Sequence, residues 1–339
     1  MKLLSVAIPC YNSAAYMRHC IETLLPGGEE LEILVVDDGS QKDNTLEIAR
    51  EYEARYPAIV RAIHQENAGH GGAVNKGLEN ATGLYFKVVD SDDWVDTQVL
   101  LKIIALLRDF AAQQEPVDLL ISNYVYDKVG VEHKKVMRYA SALPANRVLT
   151  WPEVKRLPLG QYILMHSVIY RTAMLKEMGL KLPEHTFYVD NLYVYTPMQQ
   201  VQRIYYLDEN LYHYFIGRDD QSVQESIMIR RIDQQLRVNR LMVDTVRLQQ
   251  VTDRRQRQYM FAYLSIITMV SNVLLLLMDN DEAKQKRGEL WQHIQETDPW
   301  VYERLNRSVV GRLAHVRTRF GRWIVVHGYA IAQKLVGFN

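Results

Sequence analysis

The first 125 residues of this chain of 339 alternate two patterns, and that alternation limits the possible folds more than any other feature. Short, nearly continuous apolar runs occupy 3–8, 31–36, 59–63, 85–89 and 117–122. Amphipathic helical patterns lie between them at 14–25, 45–56, 72–81 and 97–110. Strands that are apolar on both faces, separated by helices, predict a mostly parallel sheet covered on both sides. Such sheets bind ligands beyond the carboxyl ends of their strands. The polar clusters fall at those ends: Pro9-Cys10-Tyr11-Asn12, Asp37-Asp38-Gly39-Ser40, Asn67 to Gly72, and Asp90-Ser91-Asp92-Asp93. Four successive strands therefore deliver polar residues to one rim.

Composition narrows the class further. The chain is 48 % hydrophobic and 24 % charged, which excludes a disordered or low-complexity protein. Lys+Arg and Asp+Glu both number 40, so no overall charge draws it to nucleic acid, and no nucleic-acid partner is expected. Cys10 and Cys20 make no disulfide framework and read as reduced core thiols of a cytoplasmic protein. The apolar run 3–8 is too short for the core of a signal peptide, which needs about 7–15 residues, and reads as a buried first strand.

Two acidic clusters carry the chemistry. Asp37-Asp38-Gly39-Ser40 suits a turn that caps the next helix as well as it suits a ligand site. In Asp90-Ser91-Asp92-Asp93-Trp94, three carboxylates within four residues repel one another. A hard divalent cation, Mg²⁺ or Mn²⁺, neutralises such a cluster and also takes oxygens from a bound diphosphate; a solvated acidic turn is the alternative.

In order and spacing these elements resemble the family 2 glycosyltransferases of GT-A fold. The resemblance runs through Ser5-Val6-Ala7-Ile8-Pro9-Cys10-Tyr11-Asn12, Glu32-Ile33-Leu34-Val35-Val36-Asp37-Asp38-Gly39-Ser40, Asn67-Ala68-Gly69, Asn75-Lys76-Gly77, Ala81-Thr82-Gly83 and Asp90-Ser91-Asp92-Asp93. It implies that Pro9, Tyr11 and Asp38 hold the nucleotide base, Asp38 accepting a uracil N3–H, with Asn67 beside them. It implies a DxD-type pair in Asp90 and Asp92, with Asp92 the metal ligand for Mn²⁺ or Mg²⁺ and Asp90 on metal, metal-bound water or ribose; Asp93 stands behind them.

The chain departs from the family in two places. An Arg that often precedes the Asn of the Asn-x-Gly element is Val74 here. His70, in the glycine-rich Asn67-Ala68-Gly69-His70-Gly71-Gly72, is the candidate substitute at the diphosphate, and glycine backbone approaches phosphate readily. The family's acidic pair before the acceptor-side helix is reduced to Asp190 in Thr186-Phe187-Tyr188-Val189-Asp190-Asn191. The resemblance makes Asp190 the general base; a helix N-cap is compatible with that role. The segment 212–223 resembles a flexible element closing over the donor, with Arg218 or His213 reaching the diphosphate. His166 and His185 read as acceptor-site or as structural histidines.

The resulting organisation is a catalytic domain at 1–223, with a nucleotide-binding half at 1–125 and an acceptor half at 126–223, followed by a helical region at 224–339. Residues 258–278 carry no charge and read as a buried bundle helix rather than a membrane span. Residues 308–339 hold Arg312, Arg317, Arg319, Arg322 and Lys334 among Phe320, Trp323 and Tyr329, with no acid. They either dock on an anionic membrane surface, placing the enzyme at the inner face, or fold back on the bundle. A homo-oligomer is left open.

The resemblance implies an inverting transfer of sugar from a nucleotide-diphosphate donor, a UDP-sugar, to an acceptor hydroxyl. The expected acceptors are a glycan or glycolipid in cell-surface polysaccharide, glycolipid or teichoic-acid-type synthesis. A nucleotide-dependent oxidoreductase is disfavoured because no Gly-x-Gly-x-x-Gly follows the first strand. A nucleotidyltransferase lacks its Gly-rich, basic loop there. A non-catalytic carbohydrate-binding or scaffold protein would have no need of Asp90, Asp92 and Asp190 together.

Overall fold

The apolar runs become strands because each is sealed on both faces. In the computed structural model, every residue of β1 (Leu4–Cys10) and β2 (Leu31–Asp37) is buried. The structure describes residues 1–113, 116–128, 134–158, 160–216, 225–308 and 311. Arg218 and the tail beyond Ser308, Gly311 apart, lie outside the described residues.

The elements that follow are α1 (Met17–Leu24), α2 (Thr45–Arg55), β3 (Val60–His64), α3 (Gly69–Asn80), β4 (Tyr85–Val88), β5 (Trp94–Val95), α4 (Thr97–Ala112) and β6 (Leu119–Lys128). Next come β7 (Lys135–Met137), β8 (Val148–Leu149), β9 (Val168–Arg171), α5 (Thr172–Glu177), α6 (Asp190–Tyr195) and β10 (Ile204–Ile216). The sheet order is β3-β2-β1-β4-β9-β6-β10-β5, with β7 on β6 and β8 on β10. Pairing from β3 through β4 is parallel, as the alternation predicts. Beyond β4 the sheet is mixed: β9 inserts antiparallel between β4 and β6, and β10 runs parallel to β6. Periodicity reports that a strand is buried and says nothing of its direction, so the late strand β9 is invisible to it.

Helix α3 begins at Gly69, three residues before the predicted start. The first N–H groups of a helix lack partners inside it. Here a side chain from β2 supplies one, since Asp38 accepts from the backbone N–H of Ala68 and of Gly69, each at 2.8 Å.

A second buried carboxylate ties the sheet together behind the rim. Glu32 Oε1 accepts from the Ser5 hydroxyl and from the backbone N–H of Thr82 at 2.5 Å and of Gly83 at 3.1 Å. A Cβ at Gly83 would stand 2.6 Å from the Ser5 nitrogen, so this turn needs glycine to approach β1.

The chain divides into two compact units, one of 1–157 with 163–217 and one of 158–162 with 218–339. The second contains α7 (Glu225–Arg230), α8 (Ile232–Thr245), α9 (Arg254–Met278), α10 (Asp281–Thr297) and α11 (Pro299–Arg307). Helix α9 is long and apolar enough to cross a membrane, and 61 % of its most apolar window is buried within the protein. Its polar residues face other helices: Gln235 donates to Ser271 at 3.2 Å, Asn239 to Thr268 at 3.1 Å, and the Trp291 indole to Asn272 at 3.0 Å. Buried polar groups paired across a bundle are what the uncharged sequence of 258–278 predicted.

Glu32→Ala removes the acceptor of the buried Ser5 hydroxyl and of the Thr82 N–H, while the Gly83 N–H keeps Ser5 Oγ at 2.8 Å. Each such group costs about 1–3 kcal/mol, so the variant should lose roughly 2–4 kcal/mol of unfolding free energy in a urea titration. A loss below about 0.5 kcal/mol would show that Glu32 does not hold this turn.

Candidate active site

The four polar clusters meet at the carboxyl ends of β1 to β4. The ends of β1 and β2 are laced by main-chain and side-chain bonds. Asn12 N–H donates to Ser40 Oγ at 2.9 Å, Asn12 Oδ1 accepts from Gln41 N–H at 3.2 Å and Lys42 N–H at 3.0 Å, and the Ser13 and Ser91 hydroxyls meet at 2.8 Å. Asp37 is fully buried and paired with His64 Nδ1 at 2.7 Å.

Asp38 is more heavily engaged than any other carboxylate expected to read the base. Its Oδ1 accepts from Gln65 at 2.6 Å and from the Ala68 N–H; its Oδ2 accepts from Asn67 at 3.0 Å and from the Gly69 N–H. Four bonds match the acceptor capacity of a carboxylate. Asp38 and Asn67 thus shape the turn between β3 and α3 by binding each other. Gly39 adopts φ +72°, and a Cβ there would lie 2.8 Å from the Asn67 nitrogen. Pro9 is the next-to-last residue of β1 and pairs with Val36. Tyr11 is 53 % exposed at the mouth of the rim, which leaves its ring face accessible.

The acidic turn after β4 is fastened to β10. The Tyr212 hydroxyl donates to Asp93 Oδ2 at 2.5 Å and accepts from the Asp90 N–H at 3.2 Å; the Phe215 N–H donates to Asp93 Oδ1 at 2.8 Å. Burial, then the charges of Asp92 and Asp90, hold the Asp93 carboxyl well above the usual carboxylate range. Asp90 Oδ1 meets His70 Nε2 at 2.8 Å. Burial works against charge on both partners, but the pair prevails: Asp90 is held below its ordinary value and His70 above its own. His70 therefore reaches the acidic turn.

Among the described residues, the grouping whose ligand atoms converge is Asp90, Asp93 and His166, all within 4.8 Å of one another; Asp92 stands outside it. The donor set of carboxylate oxygens and an imidazole nitrogen fits a divalent cation. Sequence reading placed neither His166 nor its neighbour Lys87 in this cluster. Lys87 is buried on β4 and donates to the His166 carbonyl at 2.7 Å. Burial brings its pKa down to about 7, against the opposing charge of Asp90. A lysine within the apolar run 85–89 was the available signal.

Asp190 starts α6 and is flanked by a strained segment, with His185 at φ +47° and Tyr188 at φ +66°. Burial raises its pKa to about 6; the Asp90 charge adds to the rise, while His70 and backbone N–H groups oppose it. The segment is held against α3. His185 N–H donates to the Ala68 carbonyl at 2.8 Å, and Asn75 exchanges two bonds with the backbone of Leu182, at 2.9 and 2.8 Å. A Cβ on Gly69 would sit 3.0 Å from the His185 nitrogen, and one on Gly71 only 2.5 Å from the Pro183 oxygen. These glycines serve the approach of chain to chain, and the Gly69 N–H expected at a phosphate is taken by Asp38. His213 stacks on Trp94 at 5.5 Å and meets Asp127 at 3.1 Å.

Residues 5–164 match glycosyl transferase family 2. An uncharacterized glycosyltransferase, YibD of Escherichia coli K12, is 32 % identical over 219 residues, which is 63 % of this chain and 61 % of that one. The chain thus spans about three fifths of the length of the first curated relatives it matches. The poly(ribitol-phosphate) β-N-acetylglucosaminyltransferase TarS of Staphylococcus aureus is 28 % identical over 231 residues, 67 % of this chain and 38 % of that protein. The solved structure of TarS residues 1–349 with UDP-GlcNAc matches 98 % of this chain and 92 % of that one at a TM-score of 0.71 and 22 % identity. A mannosyltransferase from Pyrobaculum calidifontis, solved with GDP-Man and Mn²⁺, covers 98 % and 86 % at a TM-score of 0.53 and 13 % identity. The fold is GT-A.

The raised Asp190 pKa has a consequence for stability. Its folded value, about 6, exceeds the ordinary 3.8, so the folded state holds the proton more tightly and loses stability as pH rises from about 4 through 6. Asp190→Asn, neutral throughout, should match the wild type near pH 4 and exceed it by about 1–3 kcal/mol at pH 8. Parallel denaturation curves at the two pH values check this; equal offsets at both would refute the shift.

Proposed function

We propose that the chain is a member of glycosyl transferase family 2, and that it moves a sugar from a UDP-sugar to an acceptor hydroxyl with inversion at the anomeric carbon; the match of residues 5–164 to that family supports this. The observation that carries this reading is Asp190: a carboxylate whose pKa is brought to about 6 and which feels the charge of His70, the residue that meets the acidic turn. A base poised near the working pH is both deprotonated and able to take a proton.

In this reading Tyr11 stacks on the base, while Asp38 and Asn67 hold the turn that surrounds it. His70 and Asp90 face the diphosphate, and His70 donates where the family's Arg is absent. Arg218 is proposed for the same diphosphate from its sequence position alone. Asp90 and Asp92 are the proposed ligands of Mn²⁺ or Mg²⁺, which when bound offsets charge on the departing diphosphate. Asp190 takes the proton of the acceptor hydroxyl, whose oxygen attacks the sugar carbon opposite the diphosphate. Holding donor and acceptor in line supplies much of the acceleration. The acceptor is proposed to be a glycan, glycolipid or teichoic-acid-type polymer of the cell surface, a reading supported by the likeness to TarS. A cytoplasmic setting is supported by two free, buried cysteines. From sequence, 308–339 is proposed to dock on anionic membrane; association into oligomers is left to measurement.

The test is release of UDP from a panel of UDP-sugars with Mn²⁺ and cell-envelope acceptor fractions. Wild type should turn over at least one donor. Asp190→Asn should bind UDP normally yet lose about 10²–10⁴-fold in kcat. His70→Ala should weaken UDP more than uridine, which has no phosphates. Donor binding without any turnover would favour the carbohydrate-binding alternative.

A further inference from the structure

His166 is built into its place more firmly than packing alone requires. It lies on the short turn Met165–Ser167 that leads into β9. Lys87 fixes that turn from below, donating to the carbonyl of His166 at 2.7 Å and reaching that of Val168 at 3.5 Å. The same ammonium stands 5.0 Å over the Tyr212 ring. The imidazole is stacked between Tyr212 and Tyr214, both at 4.6 Å with interplanar angles of 27° and 24°, and Tyr124 meets it edge-on at 5.2 Å. Three aromatic rings thus hold the imidazole, and its polar chemistry lies along the ring edge.

That edge carries an unmet demand. Nδ1 of His166 is buried and has no hydrogen-bond partner among the described residues. A buried polar atom left unpaired costs about 1–3 kcal/mol, and an aliphatic side chain would fill the space between two tyrosines without that cost. A ring nitrogen of His166 and one carboxylate oxygen each from Asp90 and Asp93 lie within 4.8 Å of one another. Two ligands on a cation with bonds of about 2.1 Å stand at most about 4.2 Å apart. Neighbouring ligands on one cation stand closer, about 3 Å apart, so the side chains would draw in around the ion by rotation about their own bonds. His70 occupies Oδ1 of Asp90 and leaves Oδ2. Tyr212 and Phe215 orient Asp93.

We propose that His166 is a nitrogen ligand of the divalent cation at Asp90, and that it makes this site select Mn²⁺ over Mg²⁺, with Lys87 as its positioning residue. The inference rests on the cation-dependent reading above and adds to it a ligand and a selectivity. Imidazole nitrogen raises affinity for transition metals, whereas Mg²⁺ prefers an all-oxygen shell that keeps its waters. An acidic turn of oxygens alone would not discriminate in this way.

Pulsed electron paramagnetic resonance of untagged, full-length protein with Mn²⁺ and UDP tests this directly. Wild type should show ¹⁴N coupling to the bound Mn²⁺. His166→Gln should still bind Mn²⁺ without that coupling, and Mg²⁺ should displace the Mn²⁺ at concentrations about tenfold lower. His70→Gln should retain the coupling. Lys87→Met should weaken it, and Lys87→Arg should restore it. Bound Mn²⁺ with no ¹⁴N coupling in the wild type overturns the proposal while the cation reading stands. Coupling that survives in His166→Gln and vanishes in His70→Gln overturns it in favour of His70. If wild type binds no Mn²⁺ even with UDP, the cation reading itself falls. The wild-type spectrum decides even where a variant fails to fold.

Discussion

A carboxylate taken out of water has to be answered by donors from within the chain, and the rim of this sheet depends on how four of them are answered. Asp37 takes His64. Asp38 takes the turn between β3 and α3. Asp90 takes His70, and Asp93 takes Tyr212 and the backbone of Phe215. Each pairing joins two segments distant in sequence, so the same bonds that satisfy the charges also assemble the site. Asp38 binds β2 to the start of α3, and Asp93 binds β4 to β10. Removing one partner leaves a buried charge exposed to none, which is why such pairs are stiff even where their net contribution to stability is small.

Electrostatics also separates the carboxylates by role. His70 attracts both Asp90 and Asp190, but the two end at opposite sides of the ordinary value. Asp90 has the direct hydrogen bond and stays ionised. Asp190 has only the longer-range attraction, and burial prevails, so its pKa rises to about 6. Two carboxylates in one site, pushed apart by unequal access to one imidazole, is the arrangement expected where one must carry charge and the other must accept a proton.

Much of this was legible in the sequence, and the limits have physical causes. The strands from β1 to β4 and their polar ends follow from hydrophobic runs and spacing, because burial on both faces leaves that trace directly. In the mixed half the run 117–122 marked β6, but nothing marked the direction or the partners of the strands, since these depend on long-range pairing. Ser5, Glu32 and Gly83 stood within the resemblance as separate motif residues, and only the fold shows them as one network. His166 and Lys87 were visible as residues but not as neighbours. They sit 79 positions apart, and their contact exists only because β9 slots in beside β4.

The glycine-rich turn answers a demand of the fold that its sequence did not announce. Gly69 and Gly71 were expected to let backbone approach phosphate. In the folded chain the backbone that approaches them is the 182–186 segment, and a Cβ at Gly71 would strike the Pro183 oxygen. The distinction bears on how the site works. Helix α3 carries His70 on its first turn and Asn75 on its second, and Asn75 is locked to Leu182 on the segment that leads to Asp190. The group facing the acidic turn and the group with the tuned carboxyl therefore hang from one rigid element. A shift of α3 by a fraction of an ångström would move both together, preserving their separation. Catalytic groups must keep such separations to within about half an ångström to act in concert. Glycine at these positions is what allows two loops to press close enough to one helix for that to hold.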